Sequence, residues 1–215
     1  MARRVRVFFM LTLYDFLPSS NGYKVRLLLT QLEIPFRRVE IDITKGESRT
    51  PEYLAKFPNG RIPAVEFDDG RRLFESNAII CYFAEGTPLM PTDRFARAEV
   101  FQWLFFEQYN HEPNIATARA WVHVFRIADQ RRAELEQKRK LGYDALAVME
   151  SHLRGDDSKP REWFVGGCYT IADIALYAYT HVAHEGGFDL AGFPAVRAWL
   201  DRVRAQPRYI PITQG

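Results

Sequence analysis

The feature that most constrains the fold is a change of pattern at a short linker, residues 85–92. This stretch contains a glycine and two prolines, which interrupt regular structure. Before the linker, short β-rich runs alternate with helical patterns, whereas after it apolar residues recur only at helical spacing. The sequence therefore predicts two domains, an α/β domain over residues 1–84 and an all-helical domain over residues 93–215.

The α/β domain holds seven predicted elements in the order β-α-β-α-β-β-α. In chain order they are a strand over residues 7–14, a helix marked by Val25, Leu28, Leu29 and Leu32, a strand over 36–43, a short helix opened by Thr50-Pro51-Glu52, a hairpin of strands 61–67 and 71–74, and a helix with Ser76 as its N-cap. A βαβ unit followed by a hairpin and a helix is the order of a thioredoxin-like fold.

The all-helical domain is predicted from apolar residues that step by three or four. The pattern gives a long helix from Phe95 to Tyr109 that Glu112-Pro113 kinks or breaks, a helical stretch from Trp121 to His152, and a final amphipathic helix around Trp199.

A further helix is predicted to begin at Thr170, which Asp173 follows by three residues. A threonine at the cap and an acid at this spacing satisfy each other's backbone N–H groups, in a variant of the capping box. The helix that follows, from Ile171 to about Val182, is apolar nearly all round, so we expect it at the buried centre of its domain. This feature serves folding, not chemistry.

Composition excludes several classes of partner. Lys and Arg number 29 against 27 Asp and Glu, and a net charge of +2 gives no electrostatic footprint for nucleic acid or an anionic membrane. No stretch approaches the roughly 20 apolar residues of a membrane span. The basic start and the apolar run that follows imitate a signal peptide, but the run is short and Tyr14-Asp15 interrupts it, which favours a first strand.

The residues that often bind metals or form disulfides show no matching pattern. Cys81 and Cys168 form no C-x-x-C pair, and their apolar surroundings predict buried thiols in a reducing, cytoplasmic compartment. His181 and His184 have the spacing of metal ligands, but no third ligand accompanies them, so we expect no metal.

The chemistry is predicted at residues 19–26, Ser-Ser-Asn-Gly-Tyr-Lys-Val-Arg, where a polar loop opens the first helix. The first N–H groups of a helix have no partner within the helix, and its dipole is positive at that end. Hydroxyl and amide side chains at such a point favour an anion, whether a carboxylate, a phosphate or a thiolate.

Residues 19–26 combine with Arg61-Ile62-Pro63 at a strand entrance, Glu75-Ser76 at a helix start and Gly167-x-x-Thr170-Ile171-Ala172-Asp173 in the helical half. In this order and spacing the chain resembles a soluble glutathione S-transferase over almost its whole length, from about Leu11 onward.

The resemblance implies glutathione as co-substrate and a set of contacts to it. Ser76 suits the γ-glutamyl carboxylate and Glu75 its ammonium group, while a cis bond at Ile62-Pro63 leaves the Ile62 backbone to pair with the cysteinyl residue. Arg61 or polar residues near Ser48 meet the glycyl carboxylate.

The resemblance also implies that the glutathione thiol lies over the opening turn of the first helix. Hydroxyl or amide donors and the helix dipole lower its pKa and increase the reactive thiolate, without a general base. Ser19 matches the serine of zeta-like enzymes, whereas Asn21-Gly22 followed by Lys24 matches nu-like bacterial enzymes, which leaves the class open. The principal donor is Ser19, Ser20 or Asn21; we favour Ser19 assisted by Asn21.

Three functions follow from these features, and the resemblance of Ser19-Ser20 to zeta-like enzymes leaves an isomerase open beside them. The first is a transferase, in which the thiolate attacks an electrophilic, largely apolar compound. The second is glutathione-dependent reduction of a disulfide bond, with the thiolate of glutathione as nucleophile because the chain has no C-x-x-C pair. The third is a binding module without catalysis, since one fold hosts several roles. The resemblance also implies a homodimer.

Overall fold

The computed structural model describes residues 11–156 and 159–215, which divide into two compact units. One unit comprises the described residues up to Phe83 together with Ile210–Gly215, and the other is Ala84–Tyr209. The division falls next to the predicted linker, and the last six residues belong with the α/β unit. The predicted strand over residues 7–14 starts outside the described residues.

The first unit is built on a four-stranded mixed sheet in the order β2-β1-β3-β4, as expected of a thioredoxin-like domain. β1 pairs in parallel with β2, while β3 is antiparallel to both β1 and β4. Its elements are β1 (Leu11–Asp15), α1 (Ser20–Gln31), β2 (Phe36–Glu40), α2 (Pro51–Lys56), β3 (Ala64–Glu66), β4 (Arg72–Phe74) and α3 (Ser76–Ala84).

Three predicted boundaries in this unit are wrong by a few residues. β2 stops at Glu40 instead of residue 43, because Asp42 caps a 3-10 turn by accepting the Thr44 N–H. β3 begins only at Ala64, since Pro63 has no N–H to donate to a ladder. Ser76 is the first residue of α3 rather than its cap, because the Glu75 carbonyl already accepts the Ile79 N–H.

The core of the first unit lies on both sides of β1. Every residue of β1 is buried, and so are nine residues of α1. A second cluster joins Tyr14 of β1 to Tyr53 of α2 and to Phe57, the residue after α2, and Val39, Ile41 and Ile62 pack against it. Thr50 caps α2 as predicted, accepting the Tyr53 N–H at 3.3 Å.

The C-terminal segment is held to the first unit by two residues of α1. Tyr23 donates its hydroxyl proton to the Ile210 carbonyl at 2.6 Å. The guanidinium of Arg26 donates to the carbonyls of Ile212 and Gln214 and is paired at 2.8 Å with Asp15, both side chains being fully buried.

The second unit is all-helical, as predicted. Its helices are α4 (Arg94–Phe106), α5 (Glu112–Arg119), α6 (Arg132–Arg154), α7 (Ile171–Thr180) and α8 (Pro194–Arg204). Pro113 does not end the long helix but sits in the first turn of α5, directly after a π-helical turn at Glu107–His111. Such a turn accommodates a proline that cannot donate to the helix.

The helical stretch predicted from Trp121 to His152 is interrupted. A π-helical turn ends at Val124, Arg126 adopts a positive φ of 56°, and α6 begins only at Arg132. A non-glycine residue in the left-handed region ends a helix locally.

The capping box predicted at Thr170 is present, and every residue of α7 is buried. The carboxylate of Asp173 accepts N–H groups from Thr170 at 2.9 Å and Phe164 at 3.2 Å, and the indole N–H of Trp199 at 2.9 Å. Complete burial nevertheless raises the pKa of Asp173 to about 6. This carboxylate therefore fastens three segments of the unit together.

The prediction of two buried thiols is wrong for Cys168, which is exposed, while Cys81 is half-buried. Cys168 follows two glycines of positive φ, Gly166 and Gly167, in a tight turn that closes on Val165. Within residues 11–156 and 159–215, no helix is long and apolar enough to cross a membrane.

Candidate functional site

The candidate site begins at the N-terminus of α1, where Ser19 is the cap. Its backbone is extended and its Oγ accepts the Gly22 N–H at 3.2 Å. The Ser19 N–H donates to the Phe16 carbonyl at 2.7 Å, which fixes the entry of the chain into the helix. A hydroxyl that accepts from the backbone still has its own proton to donate. Ser19 is half-buried, so its hydroxyl group is partly accessible to a ligand.

A network of polar side chains joins the first turn of α1 to the start of α3. Ser76 donates its hydroxyl proton to Oδ1 of Asn21 at 3.1 Å. The ammonium of Lys24 lies 3.4 Å from both Ser76 Oγ and Asn77 Oδ1, and the Lys24 side chain is fully buried. Two helix N-termini and one buried cation thus lie within one network.

This network has the electrostatics of an anion site. The dipoles of α1 and α3 both place partial positive charge at their N-terminal ends. The Lys24 ammonium adds a full positive charge in a region withdrawn from water, where its field is weakly screened. Chemically, the arrangement suits a carboxylate at α3 and a thiolate at α1.

A second group of polar residues surrounds Asn59. Its amide nitrogen donates to Glu75 Oε1 at 3.5 Å, and its amide oxygen accepts the Arg61 N–H at 3.3 Å. Glu75 is exposed and adopts a positive φ of 71° directly before Ser76. Such a conformation in a non-glycine residue costs of order 1 kcal/mol and is found mainly at functional sites.

The segment between Arg61 and β3 is held in place by contacts with Tyr53 of α2. The Tyr53 hydroxyl donates to the Arg61 carbonyl at 2.7 Å, and Ile62 packs against the cluster that contains Tyr53. The Ile62-Pro63 peptide bond is cis, as the family resemblance implies. Arg61, Ile62 and Pro63 therefore lie in one ordered turn.

Ser48 and Ser20 are both buried. Ser48 lies in a 3-10 turn beside Arg49, whose guanidinium donates to the Asn59 carbonyl at 3.3 Å. Ser20 is fully buried, and its hydroxyl has no hydrogen-bond partner among the described residues. The structure therefore joins Asn21 to Ser76 and, through Asn59, Glu75 to Arg61, whereas Ser20 and Ser48 are buried outside these two hydrogen-bonded groups.

Sequence reasoning assigned no role to Lys24 or Asn59. Lys24 follows Asn21 by three residues, so both lie on one face of α1. That spacing was the available signal. Asn59 was predicted only as part of a loop, and its hydrogen bonds to Arg61 and Glu75 depend on the tertiary fold.

His181 and His184 lie in different surroundings, so they do not form a pair. His181 stacks on Tyr177 with ring centroids 4.6 Å apart and lies close to the Tyr177 carbonyl, whereas His184 is exposed. In the part of the chain that the structure describes, no group of three or more His, Cys, Asp and Glu side chains is arranged to hold a metal ion.

Two family models match the chain. Residues 10–85 match the glutathione S-transferase N-terminal domain, and residues 116–202 match the glutathione S-transferase C-terminal domain.

The similarity of the chain to individual proteins supports the same family. The disulfide-bond oxidoreductase YfcG of Escherichia coli is 33% identical over 205 residues, 92% of each chain. A solved structure of a possible glutathione S-transferase from Rhodopseudomonas palustris is 49% identical, with a TM-score of 0.91 over 95% of this chain and 90% of that one. Ure2p in complex with glutathione is 25% identical, with a TM-score of 0.83 over 94% and 97% of the two chains.

Proposed function

Since the chain belongs to the glutathione S-transferase family, we propose that it binds glutathione at the N-termini of α1 and α3 and transfers it to an electrophilic, largely apolar second substrate. The observation that carries this proposal is the hydrogen bond from Ser76 to Asn21, which brings the two helix starts into one site. The glutathione complex of Ure2p supports the choice of ligand.

In this proposal each part of glutathione has its own partner. The γ-glutamyl carboxylate lies at Ser76 and its ammonium group at Glu75, the cysteinyl backbone pairs with Ile62, and the glycyl carboxylate lies near Arg61 and Ser48. Ser20 is a further candidate for contact with glutathione in the same turn, since its buried hydroxyl has no hydrogen-bond partner among the described residues. The polar groups around Asn59 hold Glu75 and Arg61 in place for these contacts.

The proposed chemistry is activation of the glutathione thiol. A free thiol of this kind has a pKa of about 8.5 and is mostly protonated at neutral pH. Hydrogen bonds from Ser19 and Asn21 to the sulfur, with the dipole of α1, favour the thiolate and lower this pKa. The thiolate then forms the bond to the electrophile, and the leaving group departs with its electron pair.

The test combines binding with turnover. Glutathione titrated into the purified protein at neutral pH should produce the ultraviolet band of a thiolate, and chloronitrobenzene should be consumed at saturating glutathione. Ser76→Ala should weaken glutathione binding roughly tenfold, as expected for the loss of a charge-assisted hydrogen bond. Absence of the thiolate band together with an unchanged affinity in Ser76→Ala would rule out the catalytic proposal.

A second candidate is glutathione-dependent reduction of a disulfide bond. The 33% identity to a disulfide-bond oxidoreductase favours it. Two glutathione thiols would supply the electrons. The first thiolate attacks one sulfur of the substrate disulfide, which forms a mixed disulfide and releases one substrate thiolate; the second attacks the glutathione sulfur of the mixed disulfide, which forms oxidised glutathione and releases the other substrate thiolate. Turnover of a small mixed disulfide is measured beside that of chloronitrobenzene, and no disulfide turnover at saturating glutathione eliminates this candidate.

The proposal includes a homodimer in the cytoplasm. Phe95, Phe105 and Tyr109 of the helical unit are 73%, 71% and 84% exposed, and large exposed aromatic side chains are enriched at protein interfaces. The free thiols of Cys81 and Cys168 support a reducing compartment. Sedimentation should give about twice the 25.0 kDa chain mass. A monomer at micromolar concentration would contradict the dimer.

A further inference from the structure

The ammonium of Lys24 occupies an unusual position. Its side chain is fully buried in the second turn of α1, and its Nζ lies 3.4 Å from Ser76 and Asn77, the first two residues of α3. A cation is unfavourable near the N-terminus of a helix, and here it lies near two of them. Burying an ammonium also costs free energy that an apolar side chain of the same length would not. Packing alone therefore gives no reason for a lysine here.

The hydrogen bonds of Lys24 give the network a direction. An ammonium group has three donors and no acceptor, so the Ser76 hydroxyl oxygen must accept from it. Ser76 has a single proton of its own, and it donates this proton to Oδ1 of Asn21 at 3.1 Å. The oxygen of the Asn21 amide is therefore held toward Ser76, and its Nδ2 group points away from Ser76 within the amide plane.

We propose that Lys24 is a positioning residue that fixes the amide of Asn21 so that Nδ2, and not Oδ1, meets the glutathione sulfur. This inference rests on the proposed function, because it assumes that the thiol lies over the first turn of α1. With an apolar residue at position 24, the Ser76 hydroxyl is able to accept from Asn21, and the amide turns over. An oxygen then faces the thiolate, and a stabilising donor is replaced by a repulsive acceptor.

The test measures the pKa of the bound thiol from the thiolate absorbance at saturating glutathione. Lys24→Met should raise this pKa by about one unit, the size of one lost charge-assisted hydrogen bond. The affinity for S-methylglutathione, which has no ionisable thiol, should fall by the same factor in Lys24→Met whether residue 21 is asparagine or alanine, because that loss reflects the missing charge beside the carboxylate and not the orientation of the amide. Lys24→Arg keeps a side chain with donors only and should keep the lower pKa, whereas the exposed Lys140→Met serves as a matched control.

A double-mutant cycle with Asn21→Ala separates positioning from a direct effect of charge. If Lys24 acts through Asn21, Lys24→Met should shift the thiol pKa by less than about 0.3 units in the Asn21→Ala background. A full shift in that background, or none in the wild-type background, overturns the inference. If Lys24→Met does not fold, Ser76→Ala breaks the same network and should raise the pKa in the same non-additive way.

The two proposals fail in different ways. A wild-type protein that binds no glutathione, or binds it without a thiolate signal, overturns the proposed function and this inference with it. A wild-type thiolate whose pKa does not respond to Lys24→Met leaves the proposed function standing and overturns only the role of Lys24.

Discussion

The carboxylate of Asp15 fills the space that a side chain at position 22 would need. A Cβ built on Gly22 falls 1.5 Å from Oδ1 of Asp15 and 2.3 Å from its Cγ. The same carboxylate pairs with Arg26 through Oδ2 at 2.8 Å. Position 22 does not carry a positive φ, so the glycine after Asn21 is required by close packing and not by backbone conformation.

Gly22→Ala should therefore destabilise the protein severely. The added methyl group displaces a fully buried carboxylate and weakens its ion pair with Arg26, and we expect a loss of about 3 kcal/mol or more in the free energy of unfolding. Urea denaturation measures the change. Gly192→Ala is the matched control, because a Cβ at Gly192 meets nothing within 4 Å, and it should cost less than about 1 kcal/mol. Equal losses in the two variants would refute the packing argument.

Tyr23→Phe should loosen the C-terminal segment. The variant leaves the buried carbonyl of Ile210 without the hydroxyl that now donates to it at 2.6 Å, which costs about 1–3 kcal/mol. Carboxypeptidase should remove the last residues faster than in the wild type. In Tyr143→Phe, the hydroxyl lost is the exposed acceptor of the Asp189 N–H, so both the stability and the digestion rate should stay near wild type. A protected C-terminus in Tyr23→Phe would show that Arg26 holds the segment alone.

The elements that could be predicted are those with local signals. The caps at Thr50 and Thr170 are set by neighbours within three residues, and both are present. The attachment of the C-terminal segment has no such signal, because Arg26 and Ile212 are 186 residues apart in sequence. The interruption at Arg126 was missed for a similar reason, since arginine has no intrinsic preference for the positive φ found there.

The residues of the candidate site also divide into those that local motifs predict and those whose position depends on the tertiary fold. Ser19, Asn21 and Ser76 were identified from motifs whose order along the chain is characteristic. In the structure Ser76 is hydrogen-bonded to Asn21, and Ser19 accepts the Gly22 N–H in the same turn. Lys24 was noted only as part of the motif that begins at Asn21-Gly22 and was given no role, because a lysine in an amphipathic helix is ordinarily exposed. Its burial depends on the docking of α3 onto α1, which no pattern within α1 encodes.

His181 should make the protein less stable in acid. Burial lowers its pKa to about 4, whereas in the unfolded chain it titrates near 6.5. Between these two pH values the unfolded state therefore binds a proton that the folded state does not bind. The free energy of unfolding falls as the pH drops from about 6.5 to about 4. A pKa difference of this size corresponds to a loss of about 3 kcal/mol.

His181→Phe keeps an aromatic ring against Tyr177 and removes the titration, so stability should fall less between about pH 7 and pH 4.5 than in the wild type. The buried carboxylate of Asp173 titrates in the opposite sense, since its raised pKa stabilises the fold as the pH falls through about 6. That contribution is common to both proteins and cancels in the comparison. His184→Gln, at an exposed position, should leave the pH profile unchanged. Parallel profiles for His181→Phe and wild type would contradict the assignment.

Ser19 and Asn21 should contribute differently to the bound thiol. Ser19→Ala removes both a helix cap and a donor, so it should cost about 1 kcal/mol of stability and raise the thiol pKa by about one unit. Asn21→Ala should raise the pKa by a similar amount with a smaller loss of stability, because Asn21 is not the cap. Thr50→Ala, which removes only the cap of α2, should reproduce the stability loss of Ser19→Ala without its pKa shift. An unchanged thiol pKa in both Ser19→Ala and Asn21→Ala would exclude these two side chains as the thiolate donors.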